Sequence, residues 1–184
     1  MKEFNGVQII KPKINNDNRG LFYELWNKKK YANLGIKNNF VQDNFSFSKK
    51  KGTFRGFHYQ KPPFSQAKLV WCSKGSIIDY VVDIRKNSKT YGELFSYKIS
   101  SKNKVQIFIP TGFLHGFLTL EHNTEVNYKV SKFYNPEFEE TILYNDKMIG
   151  LKLPKNIDKI TISKKDMNGI AFKNLISKFK YNLK

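Results

Sequence analysis

Along most of this chain the apolar positions recur every second residue. Residues 7–10, 21–26, 40–47, 53–59, 68–72, 76–84, 94–99, 105–109, 113–120 and 125–130 are dominated by β-branched and aromatic side chains, a composition that fits a pleated, half-buried surface. Turn-forming residues separate them: Asp17-Asn18-Arg19-Gly20, Lys51-Gly52, Lys74-Gly75, Tyr91-Gly92, Thr111-Gly112 and Asn145-Asp146. Short strands at close spacing, with no helices between them, predict an all-β sandwich or barrel. At this size the expected form is a jelly roll, which often holds a ligand in the mouth between its sheets. Two stretches break the period. Residues 27–34 are polar and end at Gly35, which predicts a helix with a glycine C-cap. Phe172, Leu175, Ile176 and Phe179 fall at i, i+3, i+4 and i+7, which predicts a C-terminal helical segment from about residue 163 with one apolar face.

Composition narrows the setting. The 184 residues form one domain over 1–184, with no internal repeat or linker, and the 40% hydrophobic and 15% aromatic content excludes a disordered chain. No apolar run approaches the roughly 18 residues of a membrane span. The first residues lack the apolar stretch of a secretory signal. A single cysteine, Cys72, leaves no disulfide to form within the chain, so a cytoplasmic, reducing setting is expected. The formal charge of +18 points to an anionic partner, and a basic nucleic-acid-binding β-domain is one reading of it. Against that reading, thirty of the 33 basic residues are lysine, in a chain also rich in asparagine and isoleucine. Sequence readout of nucleic acid draws on arginine and exposed aromatics, whereas here the aromatics alternate inward. No nucleic-acid or membrane partner is therefore expected, and each of the three arginines, Arg19, Arg55 and Arg85, carries more information than any lysine.

Four segments hold candidate chemistry. In Thr53-Phe54-Arg55-Gly56-Phe57-His58-Tyr59-Gln60, strict alternation puts His58 and Arg55 on opposite faces, unless Gly56 introduces a bulge that lets them converge. In Ile109-Pro110-Thr111-Gly112-Phe113-Leu114-His115-Gly116-Phe117, His115 stands among apolar residues and glycines. Alternation in 125–130 turns Tyr128 inward with Val126 and Val130; a phenol keeps its proton at neutral pH and can act as an acid. Ser163, three residues before Asp166, looks like a helix N-terminus, where Asp166 either only caps or also reaches a histidine and fixes its tautomer. The chain has only three histidines and no His-x-His pair. A metal site built from His58, His115 and a carboxylate, as in a metal-dependent isomerase or oxygenase, has no local signature.

The ordered set of motifs resembles the dTDP-4-dehydrorhamnose 3,5-epimerase family, nucleotide-sugar epimerases of the cupin-type jelly-roll fold. It comprises DNRGLFYE (17–24), FVQDNFSFS (40–48), RGFHYQKPP (55–63), QAKLV (66–70), VVDIRKNSKTYGE (81–93), IPTGFLHGF (109–117), YKVSKFYNPEFE (128–139) and YNDKMIGLKLP (144–154). The resemblance implies a cofactor-free, metal-free enzyme that inverts C3, C5 or both in a 4-keto-6-deoxy sugar carried on a nucleoside diphosphate, for surface polysaccharide. Thymidine is the family default, with guanosine- and cytidine-linked relatives, heptoses included. The resemblance makes His58 the base, Asp166 its carboxylate partner, Tyr128 the acid on the opposite face and Lys68 the cation near the developing enolate oxygen. Arg19, Glu24, Gln42, Asn44, Arg55, His115, Tyr134, Glu139 and Lys165 match substrate-contacting positions. It also implies a homodimer with strands exchanged between subunits.

Overall fold

The computed structural model describes residue 4 and residues 6–181, so the ends of the expected 1–184 domain lie outside the described residues. The strands are β1 (Gln8–Ile10), β2 (Asn15–Asp17), β3 (Gly20–Phe22), β4 (Gln42–Ser48), β5 (Phe54–Gln60), β6 (Lys68–Lys74), β7 (Ser76–Asp83), β8 (Leu94–Ser100), β9 (Gln106–Ile109), β10 (Phe113–Thr119), β11 (Thr124–Val130) and β12 (Glu139–Thr141). Two antiparallel five-stranded sheets, ordered β1-β9-β6-β11-β4 and β12-β5-β10-β7-β8, face each other, and β2 and β3 form a separate hairpin. This is the jelly roll that the alternation predicts, in the cupin-like form that the resemblance implies.

Three apolar layers hold the sandwich together. Between the sheets, Val70, Cys72, Ile107 and Val126 of the first meet Ile77, Val81, Ile99, Phe113 and Phe117 of the second. The outer face of the second sheet, with Phe54, Phe57, Tyr80, Val82, Leu114 and Leu118, is covered by Ile142, Ile149, Ile157, Phe172 and Leu175 from the C-terminal third. On the first sheet, Leu69 and Phe108 are covered by Tyr31 and Ile36. Tyr31 belongs to the helix α1 (Lys28–Asn33), which Asn27 caps at its start and Gly35, at φ +84°, follows. Because the second sheet is covered on both faces, every residue of β10 is buried. Its inward set, Phe113, His115, Phe117 and Thr119, therefore pairs with an inward set on β7, Asp83, Val81, Asp79 and Ile77.

At the C-terminus the expected helix start at Ser163 holds, but the apolar helix face over 172–179 does not: among the described residues, α2 (Lys164–Met167) and a single 3₁₀ turn at Phe172–Asn174 form there. Ile176, expected on the apolar face, is exposed, while Leu175 and Ser177 are buried. The tail runs extended instead: the Ser177 hydroxyl bonds the Ile84 carbonyl, Lys180 bridges to Lys86, and the Lys86 and Tyr181 amides bond the Phe179 and Lys86 carbonyls. Backbone bonds to a neighbouring segment replace those a helix would make internally. Residues 21–26 are likewise shorter in strand than expected, since β3 ends at Phe22.

Candidate active site

One end of the sandwich is open, and its mouth is a cavity of about 650 Å³ whose lining includes Arg55, His58, Lys68, His115, Tyr128, Tyr134, Glu139, Lys165 and Asp166. A contiguous recess of about 280 Å³ adds Gln42, Asn44 and Gln66 beside His58, Lys68 and Tyr128. Strand phase explains the convergence. In the first sheet Val130 pairs with Gln42 and with Lys68, and Tyr128 pairs with Asn44 and Val70; these residues all point to the same side of the sheet, inward. In the second, His115 pairs with His58 and Phe117 with Arg55, with a register shift between the two pairs. The shift is the bulge that Gly56 was expected to allow, and it turns Arg55 and His58 to the same face.

His58 and Asp166 meet at the mouth, with Nε2 to Oδ1 at 2.7 Å. The second carboxylate oxygen accepts from the Gly56 amide at 3.3 Å, and the Ser163 hydroxyl accepts from the Asp166 amide at the start of α2. Asp166 thus sits in a helix cap and reaches the histidine as well. Burial pushes its carboxyl up, but the His58 hydrogen bond and charge, with help from Gly56 and Ser163, outweigh that and hold it below the usual carboxylate range. Since a carboxylate only accepts, Nε2 carries the hydrogen and Nδ1 is left as the basic nitrogen.

Across the cavity, burial raises the Tyr128 phenol and the Glu139 charge adds to this, against the opposing charge of Arg55. The Lys68 ammonium lies 5.7 Å from the centre of the Tyr128 ring. Burial lowers its pKa to about 8, against the opposing pull of Glu139 and Asp79. At the rim, Glu139 accepts from the Tyr134 hydroxyl at 2.7 Å and from Lys165. Arg55 donates to the Ser48 hydroxyl and the Phe47 carbonyl, and no carboxylate among the described residues pairs with it. Gln42 donates to Asn44 at 2.8 Å.

Two expected contacts lie elsewhere in this chain. Arg19, its side chain 86% exposed, pairs with Asp17 in the β2–β3 hairpin, and Glu24 pairs with Lys30 beside a different recess. Neither lines the mouth. Arg85 is held by Asp83 with both carboxylate oxygens and stacks on Phe113, a structural role. His58 and His115 do stand opposite each other, but each gives its Nε2 to its own carboxylate. Among the described residues no group of three or more His, Cys, Asp or Glu could hold a metal ion. The sequence reading passed over Asp79, which is fully buried and 2.8 Å from His115 Nε2. A signal was present: an aspartate in the inward phase of Ile77, Asp79, Val81 is a charge where the pattern demands an apolar residue.

A jelly-roll mouth that sets a carboxylate-backed imidazole, a phenol and an ammonium around one space suits an isomerase that moves protons on carbon. Comparison with known proteins makes this particular. The profile of the dTDP-4-dehydrorhamnose 3,5-epimerase family matches residues 1–174, and the chain belongs to that family, carbohydrate epimerases of the isomerase class. The Shigella flexneri dTDP-4-dehydrorhamnose 3,5-epimerase is 43% identical over 171 residues, covering 92% of this chain and 93% of its own. Among solved structures, dTDP-6-deoxy-D-glucose-3,5-epimerase from Legionella pneumophila, in complex with dTDP-4-keto-L-rhamnose, superposes with a TM-score of 0.89 at 40% identity, covering 96% of this chain and 94% of that one. The Bacillus anthracis dTDP-4-dehydrorhamnose 3,5-epimerase, with TDP and PPi bound, gives 0.88 at 38% identity, covering 93% and 97%.

Proposed function

We propose that this protein inverts C3 and C5 of a dTDP-linked 4-keto-6-deoxy sugar by proton transfer between His58 and Tyr128. The observation that carries the reading is that the two side chains, one from each sheet, line the same cavity with Lys68 between the sheets beside them. Both carbons flank the ketone, so removing a proton from either leaves an enolate with its charge on O4. His58 Nδ1 takes the proton while Asp166 steadies the imidazolium that forms. Lys68 stabilises the charge that develops on oxygen, a preorganised interaction of the kind worth about 3 kcal/mol. Tyr128, on the opposite side, returns a proton to the other face, and water restores both groups.

Arg55 and Lys165 are the cations at the rim suited to the diphosphate, Arg55 through its planar fork. Gln42, Asn44, Tyr134 and Glu139 border the same space. Arg19 and Glu24 fit the reading if the hairpin of one subunit reaches the mouth of another, which makes the working enzyme a homodimer with exchanged strands. The chain acts as one domain, in the cytoplasm, in the supply of sugars for surface polysaccharide.

The test is hydrogen exchange. Incubated in deuterated water with dTDP-4-keto-6-deoxyglucose, the protein takes up deuterium at C3 and C5. The Tyr128→Phe variant keeps exchange at a larger fraction of its wild-type rate than inversion. No uptake by the wild-type protein would refute the proposal; equal loss of exchange and inversion in Tyr128→Phe would remove the tyrosine's role.

A further inference from the structure

The mouth holds a second histidine–carboxylate couple that the reaction above does not use. His115, 6% exposed, lines the cavity beside His58. Its Nε2 meets Asp79 Oδ2 at 2.8 Å, and Nδ1 has no hydrogen-bond partner among the described residues. Asp79 differs from Asp166 in one respect. Asp166 is also bonded by a backbone amide, whereas Asp79 is fully buried and its Oδ1 has no partner among the described residues.

A buried carboxylate served by one donor is costly unless a positive charge stands against it. The couple therefore has two relevant states. With His115 neutral its net charge is −1; with one more proton it is zero. The charged and titratable groups around it are His58 and Arg55 from β5, Lys68 across the cavity on β6, Tyr128 on β11, Tyr134 in the loop after it, Glu139 on β12, and Lys165 and Asp166 on α2. Lys68 is close enough for the Asp79 charge to favour its protonated form. An anionic ligand in the cavity discriminates between the two states: it is repelled by the first and accepted by the second, which also offers an imidazolium N–H at Nδ1.

We propose that Asp79 is a positioning residue that holds His115 with Nδ1 toward the cavity, and that the couple takes up a proton when the diphosphate-bearing substrate enters. The proton comes from solvent and no covalent bond changes. This rests on the nucleotide-sugar reading above.

Calorimetry with dTDP-glucose tests it. This diphosphate diester has no proton to gain near neutral pH and no 4-keto group to react. Titrations at pH 6.5 to 9.5, in buffers of different ionisation enthalpy, count the protons taken up. Lys68 contributes a share of its own, so the quantity read is the difference between wild type and His115→Gln. The expected result is that wild type takes up more, by up to about one proton, and that its affinity falls toward tenfold per pH unit on the alkaline side. Asp79→Asn, which cannot carry the −1 state, has a flatter profile that crosses the wild-type curve: weaker binding at pH 7, equal or tighter binding at pH 9.5. A merely structural aspartate predicts weaker binding at every pH. Should Asp79→Asn not fold, His115→Gln decides alone. Proton uptake unchanged in His115→Gln, or no uptake in wild type, overturns the inference and leaves the substrate reading intact. If dTDP-glucose fails to bind at any pH, the substrate reading falls and takes the inference with it.

Discussion

Replacing Asp166 by asparagine separates its action on the base from its place in the fold. The amide has nearly the same shape, and its oxygen can still accept from the Gly56 amide. What it loses is the negative charge 2.7 Å from His58 Nε2. During proton abstraction the ring becomes an imidazolium, so the attraction is strongest when the proton is in flight. A hydrogen bond between charged groups contributes about 1.5–3 kcal/mol net. If all of it is realised in the transition state, the rate falls by about 10- to 150-fold, at 1.36 kcal/mol per factor of ten. The assay is deuterium incorporation next to the ketone of dTDP-4-keto-6-deoxyglucose, followed by NMR. The loss belongs in kcat, with KM little changed, because the substrate in its ground state gains nothing from the carboxylate charge. Stability gives a second reading. The folded Asp166 carboxyl titrates below its unfolded value, so its stabilising contribution is present above the unfolded pKa and is lost as pH falls through the folded one. Asp166→Asn is then less stable than wild type at pH 7, and the gap closes as pH falls below about 4. Exchange within twofold of wild type in a well-folded variant would refute the proposal that this carboxylate drives the base.

Lys68→Met should lower kcat by about 10²- to 10³-fold and raise the melting temperature at pH 7. A lysine whose folded pKa is about 8 is an unfavourable buried charge below that pH, and the wild-type deficit shrinks between pH 8 and the unfolded value of about 10.4 as the side chain sheds its proton; thermal melts across that range, with no such convergence, would contradict the burial argument. Gly116→Ala places a methyl 2.9 Å from the Arg55 carbonyl, so β5 must shift, at a cost of about 1–3 kcal/mol; chemical denaturation reads it, and an unchanged midpoint would show that the strands have slack. Arg19→Ala and His58→Asn, each impaired alone, should recover activity when co-expressed, because a mixed dimer with exchanged hairpins contains one intact site; no recovery in verified mixed dimers would assign Arg19 elsewhere.

Most of the sandwich was legible because alternation maps directly onto a sheet with one face inward. Nine of the ten expected strands hold within a residue or two. The C-terminal departure has a physical cause. The 172–179 spacing fits a helix and an extended strap equally well until one knows what lies beside it. Ile84 and Lys86 offer backbone partners there, and no local pattern announces them. Among site residues, the inward phase found Tyr128; the roles of Lys68, Gln42 and Asn44 came from the resemblance, and the structure puts them on the same inward side. The positions of Arg19 and Glu24 could not be read in this way, since a hairpin outside both sheets has no phase relative to them.

The bulge in β5 shows why the base could not be placed from alternation alone. In a regular strand, residues three apart point to opposite sides. Arg55 and His58 are three apart, yet their partners Phe117 and His115 are two apart on β10, so one residue on β5 is extra. That residue lets Phe54 and Phe57, also three apart, share the opposite side, where their rings meet at 5.5 Å in the outer core. One register slip thus sends both phenylalanines outward and both polar side chains into the mouth. It is possible only where two glycines meet. A Cβ on Gly56, which has φ +122°, would lie 2.6 Å from Gly116 Cα, and one on Gly116 would lie 2.9 Å from the Arg55 carbonyl. The residues that decide where the base points therefore carry no functional group, and their contribution is the absence of a side chain.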